Sequence, residues 1–128
     1  MWTVLWIGLG GFLGANARYW LGQWLANRFG TAFPYGTLVA NTIGSFVLAF
    51  LLTLATGRLS VLPGMRLFLA IGFLGGFTTF SSFSYETVGL LEQNGWGAAV
   101  LNVIANTGFG LTGVVLGIVV ARWLQRGG

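Results

Sequence analysis

Phe80 and Phe83 stand three residues apart in the stretch Gly72-Phe73-Leu74-Gly75-Gly76-Phe77-Thr78-Thr79-Phe80-Ser81-Ser82-Phe83-Ser84-Tyr85-Glu86. On a helix that spacing puts both rings on one face, beside Ser84 and Thr87. Thr79, Ser82, Phe83 and Glu86 form an overlapping stripe. A phenyl ring is negative on its face and positive at its edge, so two edges turned to a passage offer a weak positive field to a small anion. The same rings also suit plain packing against lipid or neighbouring helices. Further polar side chains sit in apolar surroundings: Asn16, Arg18, Asn41, Thr42, Ser45, Thr78, Ser81, Asn102, Asn106 and Thr107. Most are neutral hydrogen-bond donors. A lining of hydroxyl and amide donors suits an anion that must replace its water, whereas cation filters favour carbonyls or rings of acids. Asn41 and Asn106 serve equally well as hydrogen-bonded glue between helices. Glu86 fits a solvated charge at a helix end, and Arg18 a side chain that snorkels to the membrane edge.

The elements that must position these groups follow from the charge pattern. Of 128 residues, 55% are hydrophobic and only 6% are charged, against roughly 25% charged in an ordinary soluble domain. So few charges cannot cover a surface in water, and the chain reads as an all-α integral membrane protein. Residues 29–57, 67–85 and 93–121 hold no charge, and 2–27 is interrupted only by Arg18. A spanning helix needs about 20 mostly apolar residues. The pattern predicts four transmembrane helices at about 2–27, 35–57, 63–91 and 96–124, forming one domain over residues 1–128. The first segment lacks the basic start of a signal peptide and reads as a span. Trp2, Trp20, Trp24, Trp96 and Trp123 fall near helix ends, where aromatic belts form. Arg58, Arg66, Arg122 and Arg126 share one side, against Arg28 and a snorkelling Arg18 on the other. That is a modest positive-inside bias, which favours termini in the cytoplasm and leaves insertion in both orientations open.

Twenty-two glycines in four helices allow close backbone approach in lipid, where apolar burial drives little. Gly10/Gly14, Ala40/Gly44, Gly72/Gly76 and Gly113/Gly117 are small-xxx-small pairs, and together they suggest a tight bundle with a partner subunit. Gly75-Gly76 followed by Thr78-Thr79 is a poor helix interior near the middle of the third span. A break there frees backbone carbonyls and N–H groups at membrane depth, which protein, ion or water must satisfy. Broken helices at the midplane recur in ion sites.

Several classes fall away. With no Cys and no His, thiol chemistry, disulfides, the usual zinc and haem ligands and imidazole proton transfer are excluded. The net charge of +4 comes from scattered arginines near helix ends, which is no nucleic-acid footprint. No nucleophile–base pair or phosphate loop is present, so the chain does not read as an enzyme.

Three segments together resemble the Fluc (CrcB) fluoride channels: Gly10 to Tyr19 (GGFLGANARY), Gly36 to Gly44 (GTLVANTIG) and Gly72 to Phe83 (GFLGGFTTFSSF). The third is the most specific. The resemblance implies an antiparallel, dual-topology homodimer in the cell (inner or plasma) membrane. Its two pores would carry fluoride passively outward and so relieve fluoride toxicity. It implies that Phe80 and Phe83 are the paired pore phenylalanines, that Asn41 is the pore asparagine, and that Ser81, Ser82 and Glu86 line the polar stretch. It further implies that the main-chain carbonyls of Gly75 and Thr78 hold a structural sodium ion at the dimer centre. Arg18 matches a family arginine. Many relatives carry Tyr and then Ser four apart on the last helix, where this chain has Asn102 and Asn106. Asparagine still donates hydrogen bonds, so Asn106 is placed on the polar track.

Two other classes stand beside this one. A four-helix proton-coupled drug exporter needs a deep acid, usually on its first helix, and Glu86 is the sole substitute here. An assembly subunit without transport needs no pore at all.

Overall fold

A computed structural model of the chain describes residues 1–57 and 61–127. Arg58, one of the charges weighed for orientation, lies outside the described residues. The described residues form only helices: α1 (Trp2–Phe29), α2 (Tyr35–Ala55), α3 (Pro63–Arg66), a π-helical segment (Leu67–Phe73), α4 (Leu74–Phe77), α5 (Phe80–Asn94) and α6 (Trp96–Arg126). Pro63 opens α3 at a position where its missing N–H is no loss. Gly30 and Gly95 end α1 and α5 at φ 84° and 83°, a region glycine enters without strain.

From α3 to α5 the chain forms one rod with a single interruption. Thr78 (φ −86°, ψ 152°) and Thr79 (φ −153°, ψ 118°) are extended between α4 and α5. They are the middle pair of the 32-residue stretch Pro63–Asn94, so the expected break is present and central. The π-helical turn before it was not legible in the sequence.

Three stretches are long and apolar enough to cross a membrane: Tyr35–Ala55, Pro63–Asn94 and Trp96–Arg126. At 28 residues α1 has the length, but Asn16, Arg18 and four tryptophans dilute its apolar character. α2 lies along α6, α5 packs on α6, and α1 lies along the π-helical segment and α4.

All four small-residue pairs fall in these contacts. Gly10 and Gly14 abut the backbone of Gly72 and Phe73, and Gly76 abuts Gly11. Gly113 and Gly117 abut the backbone of Thr42 and Phe46, while Ala40 and Gly44 are buried on the inner side of α2. Few large apolar residues lie inside. Leu25, Leu74, Phe77 and Leu90 are buried, whereas Phe12, Trp20, Ile104 and Leu111 face outward. In water each exposed apolar Å² would cost about 25 cal/mol; against hydrocarbon it costs nothing. The interior instead holds Thr37, Asn102 and Asn106.

Candidate functional site

The break converts local backbone geometry into available polar groups. In a continuous helix the Gly75 carbonyl would accept from the Thr79 N–H, four residues on. Here that N–H donates to Asn41 Oδ1 at 2.8 Å. The Thr78 carbonyl would accept from the Ser82 N–H, which instead donates to Thr79 Oγ1 at 3.1 Å, capping the start of α5. Two further carbonyls around the break are occupied. Arg18 Nε donates to Gly76 O at 3.1 Å, and Asn41 Nδ2 donates to Thr79 O at 3.1 Å. The usual donors of Gly75 and Thr78 are therefore both diverted. Gly75 is also on the outer face, where an added Cβ would meet nothing within 4 Å.

Carbonyl oxygens of this kind suit a hard cation such as sodium. Among the described residues there is no group of His, Cys, Asp and Glu side chains that could hold a metal, so backbone oxygens are the donors in question.

Asn41 starts a chain of side-chain hydrogen bonds through the subunit. Its Nδ2 also donates to Asn106 Oδ1 at 3.2 Å. Asn106 Nδ2 donates to Asn102 Oδ1 at 2.9 Å and to Asn102 O at 3.2 Å. Asn102 Nδ2 donates to Thr87 Oγ1 at 2.9 Å, and Thr87 Oγ1 donates to Phe83 O at 2.7 Å. Both amide hydrogens of Asn41 and both of Asn106 are thus used within the subunit.

Phe80 and Phe83 lie with ring centroids 5.6 Å apart and planes tilted by 50°. Phe80 is 78% exposed and Phe83 is half-buried. Ser81 is exposed, and its hydroxyl is 3.3 Å from Thr79 Oγ1. Thr79 Oγ1 donates to Ser82 Oγ at 3.1 Å. Ser82, Tyr85 and Glu86 then line a cleft of about 450 Å³, closed on its other side by Arg18, Gln23 and Thr37. Thr37 Oγ1 donates to Glu86 Oε1 at 2.8 Å, tying α2 to α5. Glu86 Oε2 is buried and has no hydrogen-bond partner among the described residues.

Of the residues singled out from sequence, Gly75, Thr78, Asn41, Phe80, Ser81, Ser82 and Phe83 gather at and just after the break. Glu86 lies six residues beyond Phe80, about 9 Å along the axis, in the cleft. Asn106 is on the inner side of α6, reached through Asn41. Asn16 bonds back to its own helix, with Nδ2 donating to Phe12 O at 2.7 Å, and takes no part. Thr37 and Tyr85 join the site without having been singled out, and no spacing in the sequence marks either. Asn102, already counted among the intramembrane polar residues, joins it through Asn106, four residues on along one helix face.

Comparison with known proteins bears on the whole chain. Residues 5–118 match the family described as CrcB-like protein, Camphor Resistance (CrcB). The chain is 51% identical over 122 residues to a protein of Roseiflexus sp. (strain RS-1) named fluoride-specific ion channel FluC, covering 95% of this chain and 98% of that one. It is 48% identical to a protein of that name from Sorangium cellulosum (strain So ce56), covering 95% and 96%. It is 43% identical to one from Clostridium perfringens (strain 13 / Type A), covering 92% of each.

Proposed function

The chain belongs to the CrcB-like family, and we infer from that premise that it is a fluoride-specific ion channel, a multi-pass membrane protein and not an enzyme. The observation that carries this is similarity over nearly the full length of both chains to relatives of that name, including the stretch that breaks the third span. Fluoride moves passively and outward, lowering its concentration in the cell. A drug exporter is disfavoured because α1 carries no acid.

A small anion leaving water needs donors. The cleft beside Arg18 gathers it, and Ser82 and Ser81 hydroxyls take the place of its water. Phe80 and Phe83 then present positive ring edges along a narrow path. Asn41 and Asn106 wall the same path. Their N–H groups are engaged with Thr79, Asn106 and Asn102, so they contact fluoride only when one of those bonds opens.

One subunit offers only one wall, since Phe80 and Ser81 are on its outside. A second copy, inserted in the opposite orientation, supplies the other, with α1 as the fourth span of each subunit. Gly75 and Thr78 of both copies would hold a sodium ion between them. Such an ion would supply fixed positive charge beside the two breaks.

Purified protein in liposomes, followed with a fluoride electrode and chloride as control, tests the function. The wild type should release fluoride and retain chloride. Phe83→Ile should cut fluoride release by about 100-fold, which is about 2.8 kcal/mol at 1.4 kcal/mol per tenfold. A protein that releases neither ion overturns the function; undiminished release by Phe83→Ile overturns the ring-edge role. Replacing sodium on both sides by a large organic cation should slow release at least tenfold and lower the temperature at which the dimer dissociates. Unchanged release and stability would remove the sodium ion from the account.

A further inference from the structure

We propose that Asn102 and Asn106 are positioning residues: with Asn41 they form a one-way hydrogen-bonded ladder that sets the rotation of α5 about its axis, and so the direction of the Phe80 and Phe83 rings. This deepens the channel reading and rests on it for its functional consequence.

The ladder's polarity is dictated by its ends. At one end the donor is the Thr79 N–H, which can only donate, so Asn41 must turn Oδ1 toward it. Nδ2 of Asn41 then faces Asn106, which must present Oδ1. Nδ2 of Asn106 faces Asn102, where the backbone carbonyl can only accept. Asn102 must in turn offer Nδ2 to Thr87. Thr87 spends its single proton on the Phe83 carbonyl, again an obligatory acceptor. A wrong turn of any amide would set acceptor against acceptor. Head-to-tail chains of this kind polarise one another in a low-dielectric interior.

The ladder grips α5 at its first turn through Thr79 and again two turns on through Thr87. Two grips on one side of a helix stop it from rolling. Asn102 is fully buried and Asn106 nearly so, and the Thr37–Glu86 bond adds a tie from α5 to α2. Phe80 and Phe83 lie between the grips, so a roll of α5 would sweep their ring edges off the path.

Asn106→Leu tests the middle rung. Leucine leaves Asn41 Nδ2 without its acceptor on residue 106 and Asn102 Oδ1 without its donor. Fluoride release per folded channel should fall at least tenfold, and undiminished release overturns the ladder. Asn102→Leu should lose at least tenfold, and Asn102→Leu with Phe83→Ile should be no slower than Phe83→Ile alone. Multiplied losses would mean that Asn102 acts independently of the ring and overturn the positioning role.

The rotation itself can be read without flux. Among the described residues there is no native cysteine, so Ser82→Cys reports on the cleft through its rate of labelling by a water-soluble thiol reagent. Adding Asn102→Leu should change that rate at least fivefold, and an unchanged rate overturns the proposal. Because labelling needs no conduction, a protein that failed to move fluoride would refute the channel function and still leave the ladder decided.

Discussion

Asn41→Leu is expected to cut fluoride release to about 1% of wild type or less. Leucine branches at the same atom as asparagine and is somewhat bulkier, so the change removes polarity without opening a cavity. Three groups lose their partner together: the Thr79 N–H, the Thr79 carbonyl and Asn106 Oδ1. Each buried polar group left unmade costs about 1–3 kcal/mol, and no bulk water reaches such depth in hydrocarbon. The chain has one cheap escape. The Thr79 N–H can return to the Gly75 carbonyl and continue α4 toward α5. That closes the break and turns Phe80 out of place. The same step withdraws one of the two carbonyls proposed to hold sodium. Release should therefore fall and lose its sodium dependence together, as measured in liposomes with and without sodium. Undiminished release by Asn41→Leu would mean that the break holds without its clamp.

How much of this could be read from sequence depends on the range of the interaction. The break is local: adjacent glycines and two β-branched threonines disfavour helix wherever they occur, and the break falls at Thr78 and Thr79. Phe80, Ser81 and Ser82 follow it directly and were legible for that reason. The π-helical turn Leu67–Phe73 was not, because Leu-Phe-Leu-Ala-Ile carries no signal against an ordinary helix. It lies where α1 presses backbone to backbone on Gly72 and Phe73, a tertiary cause. Arg18 holding Gly76, 58 residues away, and Thr37 holding Glu86, 49 residues away, are equally invisible to spacing. Asn102 and Asn106 could be placed on one face of α6, but not facing inward. An amphipathic pattern in water tells inside from outside; in lipid both sides are apolar, and that clue is gone.

The seat of α1 is the second place where one atom should decide the fold. A Cβ added at Gly14 would overlap the carbonyl oxygen of Phe73 and lie 3.0 Å from its Cα, and one at Gly10 would lie 2.8 Å from Phe73 N and 2.9 Å from Gly72 Cα. These neighbours are main chain and cannot swing aside as a side chain can. Overpacking a close contact costs about 1–3 kcal/mol and sometimes more, so Gly14→Ala should lose about 3 kcal/mol and Gly14→Val should give no folded protein. Gly8→Ala, on the open side of the same helix with nothing within 4 Å of the new atom, should gain up to about 1 kcal/mol from reduced freedom of the unfolded chain. Thermal unfolding in detergent compares the three at equal helix propensity for the two alanines. The effect should reach function as well. Forcing α1 away from Phe73 draws the Arg18 guanidinium off Gly76 O, so folded Gly14→Ala should release fluoride more slowly than folded Gly8→Ala. If Gly14→Ala proved as stable and as active as Gly8→Ala, α1 would not be seated on the π-helical turn, and Arg18 would have no fixed hold on the broken helix.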